Sequence, residues 1–184
     1  MKKVLIVVFA VAIGLSGVAN AQTPHVAVYF DHGLQYQQAD CPGAPIGTVS
    51  QTLYVVANNF GLWLNGIEFQ IFYPTQLMFL GDELIGDAIS IGNSAAGIGI
   101  AFPTPVEAFV QAKVLKVTVL WMCNSCNPDI EYPMVVMPYP GQPWVRAVEW
   151  PNLNVHIGIG FTSLVCSTTP VQETTWGQVK ALYR

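Results

Sequence analysis

Along Ile67–Tyr73 the side chains of Ile67, Phe69, Ile71 and Tyr73 fall on one face, and those of Glu68, Gln70 and Phe72 on the other. A two-residue period is the repeat of a strand with one buried face. Further β-prone runs are Val26–Phe30, Thr48–Ala57, Leu77–Leu80, Ala88–Ile91, Gly97–Phe102, Val110–Met122, Tyr132–Met137, Trp144–Glu149 and Val155–Val165. Asn58-Asn59, Pro74, an acidic turn at Gly81-Asp82-Glu83 and most of the 13 prolines punctuate them. Proline between strands removes no amide hydrogen from a ladder. No amphipathic helices separate the runs, as the crossovers of a parallel sheet would require. The expected fold is all-β: an antiparallel two-sheet sandwich, jelly-roll or immunoglobulin-like.

Met1–Ala21 reads as an export signal, with Lys2 and Lys3 ahead of the apolar run Val4–Val18 and a small-x-small cleavage site at Ala19-Asn20-Ala21. The run is shorter than the ~20 residues that span a bilayer. Cleavage is therefore expected to leave no membrane span, and the protein is expected outside the cytosol: secreted, extracellular, or in the cell envelope or periplasm. The expected organisation is a signal peptide over 1–21, a β-sandwich domain over 22–169, and a C-terminal tail over 170–184. In the tail, Thr175 and Gln178 suit a capping box, and Trp176, Val179 and Tyr183 form the apolar stripe of a short helix.

Charge narrows the partners. Past the leader the basic residues are Lys113, Lys116, Arg146, Lys180 and Arg184, against all 11 acidic ones. With no basic stripe, nucleic acid and anionic lipid are excluded as partners.

Cys41, Cys123, Cys126 and Cys166 make an even set in an exported chain, which reads first as disulfides. Three connectivities are open, and Cys41–Cys166 with Cys123–Cys126 is favoured. Cys123-x-x-Cys126 is also the spacing of thiol–disulfide exchange, although the flanking Trp121-Met122 and Asn124-Ser125 supply no positive charge to activate a thiolate. A four-cysteine zinc site normally has two such pairs, and only one is present. No metal or cofactor site is expected.

Catalytic candidates are weak. Asp31-His32 reads as a solvated loop pair, and His156 as a structurally hydrogen-bonded residue in an apolar strand. Glu68, Glu107, Glu131 and Glu149 would need two carboxylates facing across a cleft. Asp82, Glu83 and Asp87 do not match a calcium loop. Nucleophile-elbow and zinc-protease motifs are absent. The tracts Gly97-Ile98-Gly99-Ile100 and Gly158-Ile159-Gly160-Phe161 each put their glycines on one face. Close internal packing or aromatic cover is the favoured reading, and a ligand platform the alternative.

The stretch Gly66–Leu80, read as Gly-x-x-Phe-x-hydrophobic-x-Tyr leading into Leu-x-Phe, resembles the cohesin pattern. Thr48–Asn58 resembles the strand before it and Val114–Trp121 a later one, so the resemblance covers roughly 48–121. It implies an extracellular jelly-roll sandwich, related in fold to some carbohydrate-binding modules, that is not an enzyme and binds a protein. Pro74 stands where cohesins commonly carry Asp, so dockerin recognition is not carried over. The leading expectation is a non-catalytic exported binding or scaffold module recognising an extracellular or cell-surface protein, or a glycan, through a sheet face. A carbohydrate-binding module with coplanar exposed aromatics is the alternative. A thiol oxidoreductase using Cys123 and Cys126 ranks below both.

Overall fold

The computed structural model describes residues 23–40, 42, 44–123 and 132–165. Among them are twelve strands: β1 His25–Tyr29, β2 Gln38–Ala39, β3 Ser50–Asn58, β4 Trp63–Phe72, β5 Leu77–Leu84, β6 Ile89–Asn93, β7 Gly97–Glu107, β8 Gln111–Trp121, β9 Tyr132–Met137, β10 Val145–Glu149, β11 Val155–Gly160 and β12 Thr162–Val165. No helix occurs among the described residues. The chain is an all-β jelly-roll sandwich.

One layer runs β5-β8-β3-β1, every pair antiparallel. The other runs β6-β7-β4, then β10 and β9 along successive halves of β4, then β11 and β12 beside them. The layers join where β1 pairs in parallel with β11, His25 opposite Ile159 and Val26 opposite Gly160. A second parallel contact sets β2 against β12. The expected antiparallel sandwich therefore carries parallel pairing at its seam.

Alternation builds the core. Leu53, Val55, Phe69, Ile71, Ile98, Phe102, Val117, Val119 and Met134 are all buried in one cluster drawn from both layers. A register slip at Val55/Val56 turns Val56 outward, where it joins Ala27 and Tyr29 under Leu34 and Tyr54. The loop covering them is held by Asp31, whose Oδ1 accepts the amides of Gln35 (2.9 Å) and Tyr36 (2.8 Å).

Three expectations need correction. Gly81-Asp82-Glu83 is not a turn; it lies inside β5 and pairs with β8. The run expected over Gly97–Phe102 continues to Glu107 through Pro103 and Pro105. Its register on β4 jumps from Gly66–Ala101 to Leu64–Val106, and β6 begins opposite Ala101, so the prolines fall where β7 has no ladder bond to lose. Val155–Val165 breaks at Phe161, whose amide donates to the Val26 carbonyl (2.9 Å). The C-terminal helix, and Cys41, Cys126 and Cys166 of the disulfide pairings, lie outside the described residues.

Candidate functional site

The two outer faces of the sandwich differ in kind. On the β5-β8-β3 face, Gly81, Thr118 and Thr52 form one cross-strand row, and Glu83, Lys116 and Tyr54 the next, with Lys116 and Glu83 ion-paired. That is an ordinary solvated sheet surface.

The opposite face carries a trough of about 420 Å³. Ladder register defines its two rows. Ile89, Ala101, Gly66, Val148 and Val155 stand opposite one another across β6, β7, β4, β10 and β11. The next row is Ile91, Gly99, Glu68, Arg146 and Ile157. The walls are thus branched aliphatics, with Ile91 81% and Ile157 59% exposed, and the floor along β7 and β4 is nearly bare. A Cβ built at Gly99 meets nothing within 4 Å. Four strand spacings separate the walls, roughly 19 Å between backbones.

The one charged pair on the floor cancels itself: the Arg146 guanidinium bonds Glu68, which raises the pKa of the arginine. Ile89, Ile91, Val155 and Ile157, all exposed, gather on this one face.

Both ends of the trough are shaped. Tyr139 and Pro140, from the loop between β9 and β10, lie against Gly97, two residues along β7 from Gly99. At the other end Trp63 stands on β4 with its ring edge-on to Phe109, at 6.0 Å and 87°. The Trp150 amide donates to the Trp63 carbonyl (2.9 Å), bringing the β10–β11 turn to the same end.

A buried polar cluster holds the β6 wall in place. The Ser94 amide and hydroxyl each donate to Asp82 at 2.7 Å, and the Tyr73 hydroxyl bonds the Ser94 hydroxyl at 2.7 Å. The Ile71 amide donates to the Ser94 carbonyl (2.7 Å) and the Gln70 side chain to that of Ala95 (2.9 Å), tying the β6–β7 turn to β4. Burial pushes the Tyr73 phenol well above its ordinary pKa.

The chemical candidates scatter. Asp31 caps its own loop, and His32 packs its ring edge-on against Tyr54. Asp82 holds Ser94, Glu83 holds Lys116 and Asp87 accepts from Thr104, so the acidic trio does not converge. Among the described residues no group of three metal-ligating side chains comes together. Glu149 accepts from Asn154 (3.0 Å) and His156 (3.2 Å), which lower its pKa, in that order; a general acid needs the reverse. His156, on β11, is hydrogen-bonded to Glu149. Glu131 lies outside the described residues.

Burial raises the Cys123 thiol's pKa, whereas exchange chemistry needs it lowered. The exposed rings of Trp63 and Phe109 are nearly perpendicular and make no coplanar platform for sugar.

The glycine tracts divide between their two readings. A Cβ at Gly158 would meet the Phe60 ring at 2.8 Å, and one at Gly160 the Val136 carbonyl oxygen at 1.8 Å, so these glycines serve close packing. Gly97 is covered by Tyr139 and Pro140. Gly99 alone of the four forms open floor.

Sequence comparison with known protein families and with curated proteins finds no match. Solved structures do match. A cohesin module from a family 33 glycoside hydrolase of Clostridium perfringens superposes with TM-score 0.51 at 10% identity, covering 78% of this chain and 95% of that one. This is the cohesin fold. The sixth cohesin of scaffoldin B from Acetivibrio cellulolyticus, solved with a Cel5 dockerin mutant, gives 0.50 at 9% identity, covering 79% and 99%. The third ScaB cohesin of R. flavefaciens, solved with a group 1 dockerin, gives 0.50 at 10% identity, covering 83% and 99%. The resemblance read from Gly66–Leu80 thus holds at the level of fold and extends well past 48–121.

Proposed function

We propose that this chain is a non-catalytic, exported protein-binding module whose partner docks in the trough on the β6-β7-β4-β10-β11 face. The observation that carries this reading is the pairing of tall aliphatic walls with a floor that has no side chain at Gly66 and Gly99 and only a methyl group at Ala101. A flat sheet offers a partner only contact area. A trough offers a place for an inserted element, and room about 19 Å wide between backbones takes one α-helix of roughly 10–12 Å diameter. Helix-in-groove docking buries the apolar faces of both partners. Two cohesins of like fold were solved with dockerins bound, which supports a protein rather than a glycan as the partner. Dockerin itself is not assigned.

Export rests on the leader over 1–21, with the sandwich over 22–169 and the tail over 170–184. No helix among the described residues is long and apolar enough to cross a membrane. The test is recovery of a stoichiometric complex from the producing cell's envelope and culture fluid, using tagged chain as bait and Gly99→Leu as control. A partner held by the parent and lost by the variant supports the reading. Equal recovery by both refutes trough docking.

A further inference from the structure

We propose that β6 is a self-association edge, at which two copies of this chain join by antiparallel pairing of β6 with β6. The two sides of the sandwich are finished differently. On one side β1 pairs with β11 and joins the layers. On the other, β5 and β6 have one ladder partner each, β8 and β7, and no strand among the described residues covers their free edges. A free edge presents unpaired amide and carbonyl groups, and monomeric sheets blunt it with charge, proline, a bulge or shortness.

The edge of β5 is blunted in this way. Its register on β8 slips between Phe79 and Gly81, and Asp82 and Glu83 follow on the same strand. β2, beside β12, has only two residues. β6 has no such protection. It reads Ile-Ser-Ile-Gly-Asn, with neither charge nor proline, and its ladder on β7 runs from Ile89 to Asn93 without a slip. All five residues are exposed, Ile91 by 81%. Just past its end, the Ser94 amide and hydroxyl are anchored to Asp82, so the strand is held ready for a partner.

The occupant that fits this edge is another β6. A two-fold axis at Ile91 sets it opposite the other copy's Ile91, and Ile89 opposite the other copy's Asn93, as an isologous contact requires. Two β-branched side chains then face each other across the new ladder, a favourable cross-strand pair. Asp87, just before β6, falls opposite the other copy's Ala95, so no like charges meet although the chain has a net charge of −4. The axis stands normal to the sheet, which keeps both copies of Ile91 on one side. Two troughs therefore open side by side on one continuous surface. The inference thus goes beyond trough docking and makes the module bivalent. Five residues a side are far fewer than the roughly 20–30 of a standard interface, so the dimer is weak, forming between about 1 µM and 1 mM.

The test is sedimentation equilibrium of the full chain, expressed with its own leader, across that concentration range, alongside Ile91→Lys and Ile91→Glu. The parent should show a monomer–dimer equilibrium. Each variant alone sets like charges opposite one another and should associate about fivefold more weakly. An equimolar mixture of the two should regain that factor as a heterodimer. Rescue requires folded chains, so it separates lost pairing from lost fold. Gly99→Leu, which fills the trough, should associate like the parent. A parent that stays monomeric, charge variants that associate as it does, or a mixture without rescue overturns the inference and leaves the trough reading standing. Loss of association in Gly99→Leu overturns it as well, because the copies would then meet face to face through the trough.

Discussion

Gly99→Leu separates binding from folding, because the structure assigns opposite signs to its two effects. The backbone at Gly99 lies outside the left-handed region, and an added Cβ meets nothing within 4 Å. A glycine inside a strand costs roughly 0.5–1 kcal/mol in chain entropy, so leucine is expected to leave stability unchanged or raise it by up to about that much. Yet the isobutyl group stands in the 420 Å³ trough, between Ile91 and the Glu68–Arg146 pair. A partner seated there must retreat or lose its central contacts. Losing one buried hot spot costs about 2 kcal/mol or more, which is roughly thirtyfold in affinity. Urea denaturation should show an equal or higher midpoint, while titration calorimetry against the recovered partner shows the loss. Gly81→Leu, which adds the same bulk to the solvated face at a site where a Cβ also meets nothing within 4 Å, should bind like the parent. If Gly99→Leu binds as tightly as the parent, the reasoning from the bare floor is wrong.

The other glycines should behave in the opposite way. Gly160→Ala drives a methyl group into the Val136 carbonyl, and Gly158→Ala into the Phe60 ring; urea midpoints should fall by the equivalent of 1–3 kcal/mol or more, typical of about that range for overpacking. At high pH, Tyr73 has a folded pKa raised above the ordinary value near 10. The stability it contributes is full below that value and is lost as pH rises beyond it. Tyr73→Phe should flatten the alkaline fall in Tm, and in the parent the Tyr73 phenolate absorbance should appear only with unfolding. Glu149 works at the other limit. Its folded pKa is lowered, so its contribution is present above the ordinary carboxylate range and lost as pH falls through the folded value. Asn154→Ala should shrink that acid-side loss in Tm more than His156→Ala does.

How much of this was legible beforehand depended on range along the chain. Alternation in Ile67–Tyr73 foretold which side chains of β4 enter the core, and Tyr132–Met137 was read with its true ends, because both are properties of a single strand. The prolines in β7 misled because their tolerance depends on a bulge created by the partner strand. The acidic residues of β5 misled because Asp82 is satisfied by Ser94, twelve positions on. The trough was the least legible feature. Gly99, Glu68, Arg146 and Ile157 form one row only through ladders joining four strands, and nothing local in the sequence encodes which strands are neighbours. The glycine tracts carried a real signal, yet one motif serves two purposes. Only knowledge of what lies above each glycine tells Gly160 from Gly99.

The parallel seam between β1 and β11 sets the order in which the molecule can be completed. One of the first described strands waits for one of the last, whereas β6–β7 and β10–β11 are hairpins that close locally. Until the stretch that ends at Val165 has emerged, the sheet has an unfilled slot and no closed core to protect it. Long-range pairing of this kind slows folding, because the loop must close before the ladder rewards it. Closure of the sandwich is therefore among the last events of folding, and its rate is set by how fast two distant stretches of chain meet.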